Sequence, residues 1–196
     1  MIPDASAAIL AGGSGRRLGG ISKALLEVGG RTLLARQLEA LRPLFATVLL
    51  VAPDPSPFAS YGVRAIADRF PGKGAPGGVH AALAQADTPW VFCLACDMPF
   101  VRAEAIELLA SRRAADTEAV VPLRAGFVEP LFAFYSAGLR DALGLALSAG
   151  NPSLAHLLDA VKTVRVTEEE FARADPGCRS LENVNTPEDL ARARRG

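Results

Sequence analysis

The sequence predicts an α/β fold in three layers, a mostly parallel central sheet between helical layers, with an antiparallel addition later in the chain. Three observations carry that expectation. Short, continuously apolar runs at Ala7–Ala11, Thr47–Ala52 and Trp90–Ala95 have the character of parallel strands buried on both faces. Stretches with apolar residues at helical spacing lie between them, as at Leu34, Leu38 and Leu41. Glycine, proline or aspartate follows each run, which places loops at the carboxyl ends of strands, where open α/β sheets bind ligands. The 196 residues are expected to form a single domain, 1–196, with a core large enough to need no metal or disulfide staple.

Taken in order, Ala7 to Ala11 is the first strand. A brief extended or irregular segment, Lys23 to Val28, ends at the Gly29-Gly30 turn. Thr32 then caps a helix that Pro43 terminates. Val63 to Ala67 forms a third strand after Thr47–Ala52 and leads to Asp68. A loop from Arg69 to His80, rich in Gly, Pro and Lys, runs into a helix that ends near Ala86. Trp90 to Ala95 is the fourth strand and the expected centre of the sheet, delivering Asp97 to the same edge as the first loop. Glu104 to Arg113 is an amphipathic helix. Ala119–Leu123 and Val128–Tyr135, joined by Arg124-Ala125-Gly126, are two strands close enough to pair antiparallel. Helices at Gly138–Ala149 and Leu154–Val161, a strand at Thr163–Val166 and a helical turn at Glu168–Ala172 follow. A terminal helix starts from Thr186, Pro187 and Asp189, a capping box.

Composition narrows the chemistry. Half of the residues are apolar and the net charge is +0, so nothing draws the whole chain to nucleic acid or to a membrane surface. The three cysteines, Cys93, Cys96 and Cys178, make no disulfide framework, and a single C-x-x-C pair falls short of a zinc site. Without a leader pattern or a membrane-length apolar run, a cytoplasmic location is expected.

The stretch Leu10-Ala11-Gly12-Gly13-Ser14-Gly15-Arg16-Arg17-Leu18-Gly19-Gly20-Ile21-Ser22-Lys23 has the composition of an anion cradle. Glycines let bare N–H groups approach a ligand, and Arg and Lys neutralise phosphate oxygens. It is neither a dinucleotide fingerprint, because Leu18 stands where the third glycine belongs, nor a Walker loop, because Ile21 and Ser22 separate Gly20 from Lys23. A solvent-facing loop is the plainer alternative. Asp97 bears on that choice: a carboxylate facing a triphosphate needs a cation, so if the loop binds phosphate, Asp97 is a Mg²⁺ ligand. On spacing alone Asp97 could also be a cap or loop anchor. Cys93 reads as core, Cys96 could line a site, and His80 reads as a helix-side residue. Arg124 and Glu129 could border the cleft or pair structurally, and Asn183 and Asn185 taken alone read as turn residues.

The ordered elements Leu10, Ala11, Gly12, Gly13, Arg17, Gly19 and Lys23 resemble the nucleotide-binding signature of nucleotidyltransferases, most closely that of the molybdenum cofactor guanylyltransferases. The resemblance extends to Asp68, Gly74–Gly78, Cys96-Asp97-Met98-Pro99, Glu129-Pro130-Leu131 and the run from Asn183 to Leu190. It implies a Rossmann-like nucleotidyltransferase domain that moves GMP from GTP to molybdenum-bearing molybdopterin, releasing pyrophosphate. Leu10, Ala11, Gly12 and Gly13 would wrap guanine and ribose, and Asp68 would help bind the guanosine. Lys23 would bind phosphate or base, Arg17 would face the phosphates, and Asp97 would hold Mg²⁺. Asn183 and Asn185 would belong to the pterin-side or closing part of the pocket. The family's G-P-L-x-G loop is altered here, since Ala75 and Pro76 follow Gly74. A cytidylyltransferase, another nucleotidyltransferase, or a nucleotide sensor or cofactor-delivery protein are the competing readings. GTP and molybdopterin are the expected partners, with a molybdenum insertion protein and molybdoenzyme chaperones beside them, and the chain is expected to be a monomer.

Overall fold

The computed structural model describes residues 1–12, 22–150 and 153–195. Its first strand, β1 (Ala5–Leu10), is buried along its whole length, as its unbroken apolar character requires. The other strands of the main sheet are β4 (Val48–Val51), β5 (Arg64–Ile66), β6 (Trp90–Ala95), β7 (Ala119–Arg124), β8 (Phe127–Val128), β9 (Phe132–Ser136) and β10 (Thr163–Val166). They lie in the order β10-β7-β9-β6-β1-β4-β5, with β8 attached to β7. β6 is the middle strand of that path. Neighbours are parallel except where β9 meets β6 and β7, and where β8 meets β7.

A small antiparallel pair, β2 (Glu27–Val28) with β3 (Arg31–Thr32), closes the Gly29-Gly30 turn. The segment expected to be irregular is therefore a one-turn 3-10 helix, Lys23–Leu25, followed by this hairpin. The expected strand from Val128 to Tyr135 is broken instead at Glu129-Pro130-Leu131. Proline has no N–H to give to a ladder, and the chain, paired with β7 alone before the break, enters the sheet between β7 and β6 after it.

Helices cover both faces. Alternation along the strands sends Ala7, Ile9, Phe92 and Leu94 to one face, where they meet α1 (Leu33–Leu41), α3 (Ala103–Ser111) and α6 (Glu168–Ala174). An aromatic cluster fills that side: Phe92 stacks on Phe45 at 5.9 Å and meets Phe132 edge-on at 5.1 Å. The other face carries Ala8, Leu10, Val91 and Cys93 against α2 (Ala75–Gln85), α4 (Leu139–Ala149) and α5 (Leu154–Ala160). Thr32 caps α1 by accepting from the Ala35 N–H at 3.2 Å. Thr186 and Asp189 form the expected capping box of α7 (Pro187–Ala193).

One boundary moves in a way that matters for the site. α2 starts at Ala75, so Pro76, Gly77 and Gly78 belong to its first turn rather than to a loop. Gly74 supplies the entry at φ +65°, and proline is at ease in a first helical turn because its missing N–H is not needed there.

Register puts the loops level. Leu10 stands opposite Val51 on one side and Ala95 on the other. The chain accordingly leaves β1, β4 and β6 at one height, through Ala11, Ala52 and Cys96. β9 runs the opposite way, so it brings its beginning to that edge: the Ala95 N–H donates to the Leu131 carbonyl at 2.9 Å.

Candidate active site

Three distant segments meet at this carboxyl edge. Lys23, at the start of the 3-10 turn, places its Nζ 2.8 Å from Asp97 Oδ2, and both side chains are more than four-fifths buried. The same ammonium donates to Asn185 Oδ1. Asp97 Oδ1 is buried and finds no hydrogen-bond partner among the described residues. The main chain reinforces the junction, for the Val184 N–H donates to the Asp97 carbonyl at 2.8 Å.

The turn that presents Asp97 is held from beneath by a residue that sequence reasoning missed. Gln37 on α1 is buried, and its Nε2 donates to the carbonyls of Ala95 at 2.8 Å and Met98 at 2.9 Å. The available signal was a polar residue on the inward face of a helix, between Leu34, Leu38 and Leu41.

Leu10, Ala11 and Gly12 continue from β1 into the edge. Ala11 donates to the Val51 carbonyl at 2.8 Å, Leu10 accepts from Cys96 at 3.2 Å, and a Cβ on Gly12 would meet open space. Gly13 and Arg17 lie outside the described residues.

Asp68 follows β5, three strands from β6, a separation of roughly 14 Å at about 4.8 Å per strand. Its Oδ1 accepts from the Phe70 N–H at 2.7 Å, and the carboxylate rests on the first turn of α2. A Cβ on Gly77 would come within 2.6 Å of Asp68 Oδ2 and 3.0 Å of the Phe70 carbonyl, so glycine there leaves the room Asp68 occupies.

On the other side of Asp97, burial raises the Glu129 pKa, the Arg124 charge opposes that shift and the Asp97 charge adds to it. Arg124 donates through Nη1 to the Leu181 carbonyl, tying the β7–β8 hairpin to the segment that carries the two asparagines. Here a cleft of about 340 Å³ opens, lined by Phe100, Arg124, Asn183 and Arg192 among others. Phe100 and Arg192 had no motif to mark them. Asn183 faces this cleft while Asn185 reaches Lys23, so the two asparagines link the cleft to the Lys23–Asp97 pair.

The remaining candidates are structural. Cys96 is buried, and burial with the neighbouring Asp97 pushes its thiol up to about 12, which keeps it protonated. Cys93 is a core residue, as expected. His80 is buried edge-on against Phe70 at 4.9 Å, and burial followed by the Arg69 charge lowers its pKa below the ordinary 6.5.

A basic residue, a buried carboxylate and a bare-backbone strand end around one space suit a phosphate ester with a cation. Comparison with known proteins decides between the possible families. The family model described as MobA-like NTP transferase domain matches residues 7–168. The chain belongs to that family. The molybdenum cofactor guanylyltransferase of Syntrophotalea carbinolica is 34% identical to this MobA-like chain over 191 residues, covering 97% of the chain and 90% of that protein. A Pseudomonas putida protein of the same name is 35% identical over 195 residues, covering 96% and 97%. Among solved structures, the molybdopterin-guanine dinucleotide biosynthesis protein A of Archaeoglobus fulgidus superposes with a TM-score of 0.85 at 31% identity, covering 97% of each chain. The MobA-like chain is thus a nucleotidyltransferase of Rossmann-like architecture, with the three layers and mixed sheet the sequence predicts. No helix among the described residues is long and apolar enough to cross a membrane.

Proposed function

We propose that residues 1–196 act as one nucleotidyltransferase domain that transfers GMP from GTP to the terminal phosphate of molybdenum-bearing molybdopterin. An acceptor phosphate oxygen attacks the α-phosphorus. The new P–O bond forms as the bond to the β-phosphate breaks, and pyrophosphate leaves with the electron pair, giving the guanine dinucleotide cofactor. The observation that carries this reading is the meeting of Lys23, Asp97 and Asn185 at the strand edge where β1 ends, beside an Arg-lined cleft. The names of the relatives supply the identity of base and acceptor.

In this reading Leu10, Ala11, Gly12 and Gly13 receive the guanine and ribose, and Asp68 binds the guanosine. Lys23 and Arg17 neutralise the phosphates and the departing pyrophosphate. Asn183 and Asn185, with the cleft beside them, receive the acceptor. Asp97 fits Mg²⁺: its Oδ1 is a buried oxygen with no partner among the described residues, and Mg²⁺ is commonly held by one or two carboxylates with water and substrate phosphate. When bound, that ion supplies neutralisation of charge on the triphosphate. The acceptor is ionised near neutral pH, so no residue need take a proton from it. The chain's main work is to hold two anions in line.

The test is pyrophosphate release from GTP, CTP, ATP and UTP with Mg²⁺ and molybdenum-loaded molybdopterin. GTP should be strongly preferred, and Asp97→Ala or Arg17→Ala should lower transfer by orders of magnitude in a folded protein. Preference for CTP would reassign the base, and release that ignores both substitutions would remove the proposed roles.

A further inference from the structure

We propose that Lys23 is the resident counter-cation of Asp97, that Asn185 is the positioning residue that parks it there, and that the divalent-cation site stays weak until nucleotide phosphates draw Lys23 away. The inference rests on the reading of Asp97 as the metal ligand, and adds to it a coupling between nucleotide and metal.

The geometry sets two cations against each other. Lys23 Nζ stands 2.8 Å from Asp97 Oδ2, so a divalent cation taken by the partnerless Oδ1 would sit beside an ammonium on the same carboxylate. Both side chains are more than four-fifths buried, so water screens the pair weakly. Asn185 Oδ1 accepts from the same ammonium and gives it a second anchor without charge. Asn185 is itself held, because its N–H donates to Asp189 Oδ2 at 3.0 Å, within the cap of α7. Asp97 is anchored through the Val184 N–H on the same segment. The C-terminal segment therefore fixes both members of the pair.

The arrangement also gives Lys23 somewhere to go. It follows Gly20 of the glycine-rich stretch after only Ile21 and Ser22, and stands on a flexible four-carbon stem. Triphosphate in that loop offers it several anionic oxygens in place of one carboxylate oxygen and one amide. As Lys23 moves to them, both oxygens of Asp97 become available to the cation that accompanies the nucleotide. Nucleotide and metal should consequently favour each other's binding, and by reciprocity the coupling is the same from either side.

The experiment measures Mn²⁺ binding to the full chain by the electron paramagnetic resonance of free Mn²⁺, with no acceptor present, with and without a non-hydrolysable GTP analogue. Without nucleotide, Lys23→Met should bind Mn²⁺ roughly tenfold more tightly than the wild type, a coupling of ordinary size. Asn185→Ala, which changes no charge, should tighten it about threefold by releasing Lys23, again within that ordinary range. The analogue should tighten Mn²⁺ binding in the wild type and much less in Lys23→Met. Thermal melts establish that each variant is folded. Unchanged Mn²⁺ affinity in Lys23→Met, with binding lost in Asp97→Asn, would overturn the exchange and leave the metal assignment standing. Weaker binding in Asn185→Ala would overturn its positioning role and make it part of the metal shell. Binding indifferent to Asp97→Asn would overturn the metal reading of Asp97 itself, and the exchange with it.

Discussion

The two halves of the sheet build their parts of the site by different means. From β5 through β4 and β1 to β6 every pairing is parallel, so strand ends arrive level and each loop meets the same edge. Leu10, Ala11, Gly12, Asp68 and Asp97 reach the edge proposed for the nucleotide simply by ending or following a strand. On the other side of β6, β9 runs the opposite way between β6 and β7, and β10 is again parallel to β7. There the edge is made from the beginning of β9, the end of β7 and the segment from Glu182 to Asn185, which follows no strand of the sheet. The half proposed for the nucleotide is thus a repeated local rule, while the half proposed for the acceptor is an assembly of long-range contacts such as Arg124 to Leu181. The first should fail through local crowding and the second through loss of a tie.

Crowding at Gly77 is expected to have the largest effect. Valine there would put a branched Cβ within 2.6 Å of the Asp68 carboxylate and 3.0 Å of the Phe70 carbonyl. Asp68 would be displaced while the sheet stays intact. The KM for GTP should rise about 100-fold, the scale of an ångström's misplacement in a binding group, with the acceptor KM little changed. Steady-state kinetics in both substrates check this, and equal effects on the two would show that the halves are not separable.

That asymmetry also explains what could be read from sequence. β1, β4 and β6 were legible because strands buried on both faces are apolar throughout, and the caps at Thr32 and Thr186 because they are local. The shared edge of the first loop and Asp97 followed from strand ends alone. The break at Glu129-Pro130-Leu131 was hidden, because nothing nearby announces that the chain, paired with β7 alone as β8, returns as β9 between β7 and β6. The placing of Asn183 and Asn185 came only from family resemblance, since as isolated residues they read as turn formers. Arg192 and Phe100 were invisible for a related reason: their role exists only once α7 and the turn after Asp97 border one cleft. Gly77 and Gly78 were marked only as part of a loop that family resemblance covers, whereas Gly77 makes room for Asp68 from inside a helix.

At the seam between the halves, Gln37 tests the turn both depend on. Gln37→Leu keeps the bulk but removes the donor shared by the Ala95 and Met98 carbonyls. Leaving buried acceptors underpaired costs about 1–3 kcal/mol, measurable by urea denaturation. A loosened Asp97 should in addition lower kcat roughly tenfold, with smaller changes in either KM. Loss of stability with kcat unchanged would confine Gln37 to the core.

The smallest effect is expected where the acceptor half is tied together. Arg124→Gln keeps a side-chain donor but removes the charge that borders the cleft and faces Glu129. Two consequences follow from that one change. The acceptor, an anion, should bind a few-fold more weakly, as befits one partly solvated charge worth about 1 kcal/mol, while the KM for GTP stays within error. Glu129 should also hold its proton to higher pH, because Arg124 is the charge that opposes the upward push of burial. A carboxyl whose folded pKa lies above its unfolded value withdraws stability as pH rises through that range. Removing Arg124 should extend this loss to higher pH, so melts from pH 4 to pH 8 should show the variant falling behind the wild type on the alkaline side of the Glu129 titration. Glu129→Gln in the Arg124→Gln background should abolish that difference, and a difference that persists would assign the pH dependence to another group and leave Arg124 with its tie to Leu181 alone.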